Sequence, residues 1–263
     1  MEEIVKPKLD IIFKMLMTSS DDVLRGFLSA VLDIDRNSVG TIVFENPENL
    51  PEDPEGKQSQ MDLKMSVGDK ILNIEIQICN KGNYPERSLY YWAKMFSGEL
   101  KKGQYYSELK KTICVNIVDF NLFTSSEEPF STFSVLEEKR HERLTDKCAL
   151  LFFELGKVDD KVDKDNLKKL WMQLIKAETK EELDMLEQTG NADIKEAITI
   201  LHKMTADEKV REAARRREKA ILDEASMKDF AEKQGITKER ARIIANMRAD
   251  GVSEEQIRRY TGG

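Results

Sequence analysis

The chain has 263 residues, 40% hydrophobic and 35% charged, which suits one large domain or a medium domain with an appendage. Its formal net charge of -7 argues against a protein that coats polyanions with its whole surface, yet leaves room for a local basic groove. No apolar run approaches the roughly 18 residues of a membrane span, so no membrane partner is expected.

In chain order, Ile11, Ile12, Met15 and Leu16 recur at helical spacing, and the Ser19-Ser20-Asp21 cluster caps a second helix from Asp22 to Leu32. TIVFEN reads as a short strand. NPENLPEDPEG, with three prolines and a glycine, reads as a loop. MDLKMSVGDKILNIEIQI, residues 61–78, reads as a hairpin. Pro85 opens a helix from about Glu86 to Lys101, with Leu89, Trp92, Ala93, Phe96 and Leu100 as its apolar face. The strand candidates TICVNIV, FSTFSVLEE and CALLFFEL follow. This order predicts an α/β or α+β domain over 1–158.

Beyond Val158 the chain contains no proline and few glycines, and NLKKLWMQLIKA has helical periodicity. Residues 159–263 are therefore expected to form an all-helical C-terminal region. Asp207 with Arg211, and Glu212 with Arg216, are spaced as i,i+4 pairs. Gly235 and Gly251 read as helix C-caps, and Ser253 with Gln256 as a capping box. Such a charged helical tail could mediate homo-oligomerisation.

Cys79, Cys114 and Cys148 are isolated in apolar runs without any Cys-x-x-Cys, and read as buried free thiols of a reducing compartment. MEEIVKPKLD lacks the basic start and apolar stretch of a secretory signal. A cytoplasmic protein is the expectation.

The hairpin carries the chemistry. Gly68-Asp69 suits a type II′ turn, and a turn centred there pairs Val67 with Lys70, Met65 with Leu72, Leu63 with Ile74, and Asp62 with Glu75. Leu63, Met65 and Val67 then share one face with Leu72, Ile74, Ile76 and Ile78. Asp62 and Lys64 share the other with Asn73, Glu75 and Gln77. Facing carboxylates about 5 Å apart repel. A retained proton, a bridging cationic side chain or a divalent cation would relieve them. Hard oxygen ligands suit Mg²⁺, and a nearby lysine could orient an attacking water, as in metal-assisted phosphodiester hydrolysis. The plainer alternative is a solvated acidic face. With His141 and His202 far apart in sequence, a zinc-histidine or Ser-His-Asp site is not expected.

Asp62 followed after a turn by Glu75-Ile76-Gln77 resembles the core of the PD-(D/E)XK nuclease fold, a mixed central sheet flanked by helices. The blocks PKLDIIFKMLM, MDLK, NIEIQ and YPERSLYYWAKMFSGELKKGQYYSELKKTICVNIVDFNLF, spread from Pro7 to Phe123, resemble the recombination-promoting nucleases of the Rpn family, also described as PD-(D/E)XK nuclease family transposases. The resemblance implies metal-dependent DNA cleavage linked to recombination or mobile elements. The cation would be Mg²⁺, with Mn²⁺ or Ca²⁺ as substitutes, and Asp62 and Glu75 its ligands. Gln77 stands where the general fold has lysine, and Lys64 is placed to substitute. Asp10 matches an early acidic position that could support the site, and Lys14 and Arg87 could meet DNA. The alternative is a weak or inactive nuclease fold that binds DNA or assembles.

Overall fold

The computed structural model describes residues 4–45, 63–80 and 82–261. Helix α1 spans Asp10–Ser19 and α2 spans Asp21–Leu32. Ser20 separates them, and its hydroxyl accepts the N–H groups of Asp22 and Val23, satisfying donors that a helix start leaves open. Strands β1 (Ile42–Phe44), β2 (Leu63–Val67) and β3 (Lys70–Gln77) lead to α3 (Tyr84–Gly98). Strands β4 (Lys111–Val118), β5 (Phe130–Phe133) and β6 (Cys148–Glu154) follow. The strands form one sheet in the order β1-β2-β3-β4-β6-β5. β3, β4 and β6 run parallel, and the outer strands antiparallel. The element order is the one expected from the sequence, including the turn. Val67 pairs with Lys70, and Gly68 takes φ +57 while Asp69 does not take a positive φ, the type II′ signature.

Both faces of the sheet are covered. α3 lies across β4 and β6, with Met95 against Ile71 and Cys114, and Tyr84 against Val118, Cys148, Leu150 and Phe152. The side of α3 that turns inward differs from the expected one. It buries Tyr84, Ser88 and Met95, whereas Leu89 is 52% exposed. The reason lies in the sheet: the surface under α3 carries Asn73, Glu75, Thr112 and Asn116, all buried. A helix facing that surface needs polar as well as apolar groups. Trp92 accordingly packs from partial burial and donates its Nε1–H to the Thr112 carbonyl at 2.9 Å. Cys114 and Cys148 are buried free thiols, as expected, while Cys79 is only partly covered. Burial pushes the Cys148 thiol pKa up.

Leu72, Ile74 and Ile76 occupy the opposite face of β3 and are buried, and α1 packs against that strand. Behind α1, a helical layer contains α2, α4 (Leu167–Lys176), α5 (Lys180–Glu187) and α6 (Ala192–Ala206). Phe13, Phe27 and Trp171 meet edge to face, with centroids 5.8 and 5.7 Å apart. α2 and α6 approach so closely that a Cβ on Gly26 would lie 2.4 Å from Asp193 Oδ2. Asp193 is itself held by Arg36. Bonds of very long sequence separation join the start of the chain to these late helices. Val5 N–H donates to Thr205 Oγ1 at 3.2 Å, Ser20 Oγ to Glu196, and Arg217 clamps Asp10. The compositional change at Val158 therefore marks where strands stop. The first compact unit continues through α4–α6 and runs Met1–Arg217.

The second unit, Glu218–Gly263, contains the rest of α7 (Glu208–Ala249) and α8 (Glu254–Thr261). α7 ends in a Schellman arrangement. Gly251 at φ +76 donates to Arg248 O, and Val252 N–H to Met247 O. Ser253 and Gln256 form the expected capping box, and Ile257 is buried. Gly235 is not a cap. It lies inside the 42-residue α7, where the helix-forming Glu232, Lys233 and Gln234 precede it and Thr237 bonds back to Lys233 O. Of the two charge pairs read from the sequence, Glu212–Arg216 forms. Asp207 instead caps the start of α7 through the N–H groups of Lys209 and Val210, and Arg211 donates to Thr205 and Ala206 carbonyls.

A buried ion pair holds the carboxyl ends of β4 and β6 together. Glu154, fully buried, accepts the N–H groups of Leu122 and Phe123 at 2.6 and 3.1 Å. Lys157 meets Glu154 at 2.8 Å and donates to the Phe123 and Ser126 carbonyls. Removing one partner leaves a buried charge and two orphan donors, so Glu154→Ala is expected to cost about 3–5 kcal/mol in urea unfolding. A loss under about 0.5 kcal/mol would contradict this account. The division at Arg217 has its own consequence. A 1–217 fragment should unfold cooperatively, whereas a 1–158 fragment, stripped of the helices that cover α2, should bind ANS and aggregate. Cooperative melting of 1–158 would show that α4–α6 are dispensable.

Candidate active site

Glu75 lies near the carboxyl end of β3, two residues before the strand stops, and is 4% exposed. Parallel pairing sets Glu75 opposite Asn116 on β4. Three side chains reach the Glu75 carboxylate. Arg87 Nη2 donates to Oε2 at 3.2 Å, the Tyr84 hydroxyl donates to Oε2 at 3.3 Å, and Asn73 Nδ2 reaches Oε1 at 3.4 Å. Arg87 Nη2 also donates to Gln77 Oε1 at 3.0 Å, and Gln77 Nε2 donates to the Cys79 carbonyl. The Arg87 guanidinium sits over the Tyr84 ring, 4.7 Å from its centroid.

The local sequence explains this convergence. Glu75 and Gln77 share one face of β3 by the two-residue period. Tyr84 and Arg87 share one face of α3 by the three-residue spacing. The short connection between strand and helix brings the two faces together. Burial, the largest single influence, would lower the Arg87 pKa, but the charge and hydrogen bond of Glu75 together with Tyr84 and Tyr91 outweigh it, and the pKa stands raised. Arg87 Nε is buried and has no hydrogen-bond partner among the described residues. The Nε–H is thus an unused donor inside the site.

The residues singled out in the sequence are distributed as follows. Glu75 and Gln77 are brought together, with Arg87 as the cation between them. Asp62 lies outside the described residues, and so does its pairing with Glu75. The register beside it is the expected one, with Leu63 paired to Ile74. Lys64 is on the Asn73 side of the sheet by pairing, but its ammonium is engaged by Glu45 at 2.7 Å, and Ser66 holds the same carboxylate. Asp10 is 5% exposed and takes two 2.8 Å bonds from Arg217 Nε, with Arg217 Nη2 and the Ile11 N–H completing its shell. A carboxylate so occupied acts as a tie between α1 and α7. Lys14 is 4% exposed and is not presented where a phosphate could meet it.

The sequence reading did not find the role of Tyr84, Asn73 and Asn116, nor that Arg87 neutralises Glu75. A signal for the last was present. Arg87 is a cation in the opening turns of a helix, where the macrodipole disfavours positive charge. Such a placement points to a compensating carboxylate nearby.

The donor chemistry fits a hard divalent cation. Glu75 Oε2 and Gln77 Oε1 already converge on one positively charged nitrogen, and carboxylate and amide oxygens are the ligands that Mg²⁺ and Ca²⁺ prefer. Among the described residues no group of three His, Cys, Asp or Glu side chains forms a metal cluster. A cation held at Glu75 would need a further acid, and Asp62 is the candidate from the sequence. Among the described residues, no helix is long and apolar enough to cross a membrane.

A family model described as PD-(D/E)XK nuclease family transposase matches residues 7–231. No curated protein and no solved structure matches the chain significantly. The match extends over the helices, the mixed sheet, the Glu75 site and the start of the tail, so the chain belongs to the PD-(D/E)XK nuclease family transposases.

Proposed function

We propose that the protein is a metal-dependent DNA endonuclease that hydrolyses phosphodiester bonds in recombination or the movement of mobile elements. The observation that carries this reading is Glu75, a buried carboxylate at the carboxyl end of a parallel strand, with Gln77 beside it and a guanidinium on both. Asp62 and Glu75 would hold Mg²⁺, which, when bound, neutralises phosphate charge and activates water. Gln77 would fix the orientation of the site through its bonds to Arg87 and Cys79 O. Arg87 would leave Glu75 for the scissile phosphate, using the Nε donor that has no partner among the described residues. Lys64, released from Glu45, would orient the attacking water. A cytoplasmic location and oligomerisation through the tail belong to the same proposal.

A second reading has a specific observation in its favour. Arg87 already compensates Glu75, so this carboxylate is neutralised without a metal, and an inactive DNA-binding or assembly protein would look the same. Plasmid nicking with and without Mg²⁺ separates the two.

Under the first reading, Asp62→Ala and Glu75→Ala should abolish Mg²⁺-dependent nicking. Lys64→Ala should slow it by about 10²- to 10⁴-fold, the range for a group that moves or orients a proton. Wild-type nicking rates in Glu75→Ala would sink the nuclease reading of this hairpin. Arg87→Gln tests the competition between guanidinium and metal. Without metal it should lose about 1–3 kcal/mol, the cost of leaving a buried acceptor unsatisfied. Mg²⁺ should then raise its melting temperature more than that of the wild type, because only binding to the native state adds stability. An equal Mg²⁺ response in both proteins would mean that Arg87 and the cation do not share Glu75.

A further inference from the structure

The loop between α3 and β4 combines exposed positive charge with exposed aromatic surface. Residues 100–111 read LKKGQYYSELKK, with four lysines and one glutamate in a chain of net charge -7. Tyr105 and Tyr106 are 77% and 85% exposed, and Lys101, Lys102 and Lys110 are exposed as well. None of these lysines forms an ion pair with another described residue.

The loop has a fixed shape. Lys101 N–H donates to Gln104 Oε1 at 2.7 Å, Gln104 Nε2 to Glu108 Oε2 at 3.2 Å, and Tyr105 N–H to Glu108 Oε1 at 2.9 Å. Both oxygens of Glu108 are thus used within the loop, one by the Tyr105 N–H and one by the Gln104 amide. The segment's acid is spent on structure, and the lysines and tyrosine rings are left to solvent.

The position of this loop relative to Glu75 is set by the sheet. Lys70 pairs with Lys111 and Glu75 with Asn116. The loop therefore adjoins the opposite end of the same two strands, five residues or roughly 16 Å away. α3 spans the interval. Arg87, Tyr90 and Lys94 fall three and four residues apart, on one side of the helix, and Tyr90 is 64% exposed. A cationic and aromatic track thus runs from the Glu75 site along α3 to the Tyr105-Tyr106 loop.

We infer, resting on the DNA reading of the Glu75 site, that this track holds single-stranded DNA, with bases stacked on Tyr105 and Tyr106 and the backbone on Lys101, Lys102 and Lys110. The charge selects a polyanion, and the rings select its bases. Lysines alone would serve a duplex, whose base faces are hidden in the stack, whereas exposed tyrosines offer platforms to unpaired bases. The proposed function thereby gains a preference for substrate with an unpaired strand.

The test is fluorescence anisotropy of the full chain with a labelled oligothymidine and with a duplex of equal length, both in EDTA so that no cleavage intervenes. The single strand should bind more tightly than the duplex. Tyr105→Ala combined with Tyr106→Ala should weaken single-strand binding tenfold or more. The double change to Phe should retain it, because the ring and not the hydroxyl stacks. Replacing Lys101 and Lys102 by Gln should reduce the salt slope by about 0.7 per lysine. Unchanged single-strand affinity in the Ala variant would overturn the inference. So would a wild-type dimer in light scattering that the same variant dissociates, which would assign the rings to a second copy. Tyrosine-dependent binding without any Mg²⁺-dependent nicking would leave this surface standing and remove only the nuclease reading. Nicking with tyrosine-independent binding would do the reverse.

Discussion

The buried pairing of Glu75 with Arg87 is the constraint around which the carboxyl end of the parallel strands is arranged. Burying a carboxylate to 4% exposure is costly unless it is paired and hydrogen-bonded. Arg87, Tyr84 and Asn73 supply those partners. α3 opens at Asn83 and Pro85 close to the strand end, which lets Tyr84 and Arg87 reach the Glu75 carboxylate. The polar row Asn73, Glu75, Thr112 and Asn116 requires a helix whose inward side is mixed. The outward rotation of Leu89 and Tyr90 follows from that requirement, so the exposed track on α3 is a by-product of satisfying one buried acid.

The second buried pair, Glu154 with Lys157, does a different task at the same end of the sheet. It ties the chain that leaves β4 to the end of β6 through backbone groups of Leu122, Phe123 and Ser126. With both ends of the β4–β6 pair held, Asn116 stays fixed beside Glu75, and its amide donates to Leu151 O. Preorganisation of this kind suits a site that must not collapse around a buried charge.

Much of this architecture was legible in the sequence because it depends on local rules. The Gly68-Asp69 turn set the hairpin register, two-residue alternation set the faces of β2 and β3, and Ser20, Ser253 and Gln256 announced helix starts. What could not be read depended on contacts between distant segments. The inward side of α3 was misjudged because periodicity identifies an apolar stripe, and the sheet beneath it asked for a polar one. Asp10 looked like a site residue because Arg217, its partner, is 207 positions away. Gly235 looked like a helix end because its identity outweighed the strong helix formers around it. That Glu75 and Gln77 share one face of β3 follows from two-residue alternation alone. Arg87 as the neutralising cation depends on a strand and a helix meeting, which the pattern of neither segment alone shows.

The long-separation bonds between the first helices and α6–α7 also bear on how the chain is made. Asp10 waits for Arg217, Val5 for Thr205, and Ser20 for Glu196. At the usual pace of synthesis, about 5–20 residues per second, some 200 positions correspond to roughly 10–40 seconds. Throughout that interval α1 and α2 carry Phe13, Phe27 and their neighbours without the helices that will cover them. The nascent chain thus presents a greasy helical pair long before the helices that seal it have been made.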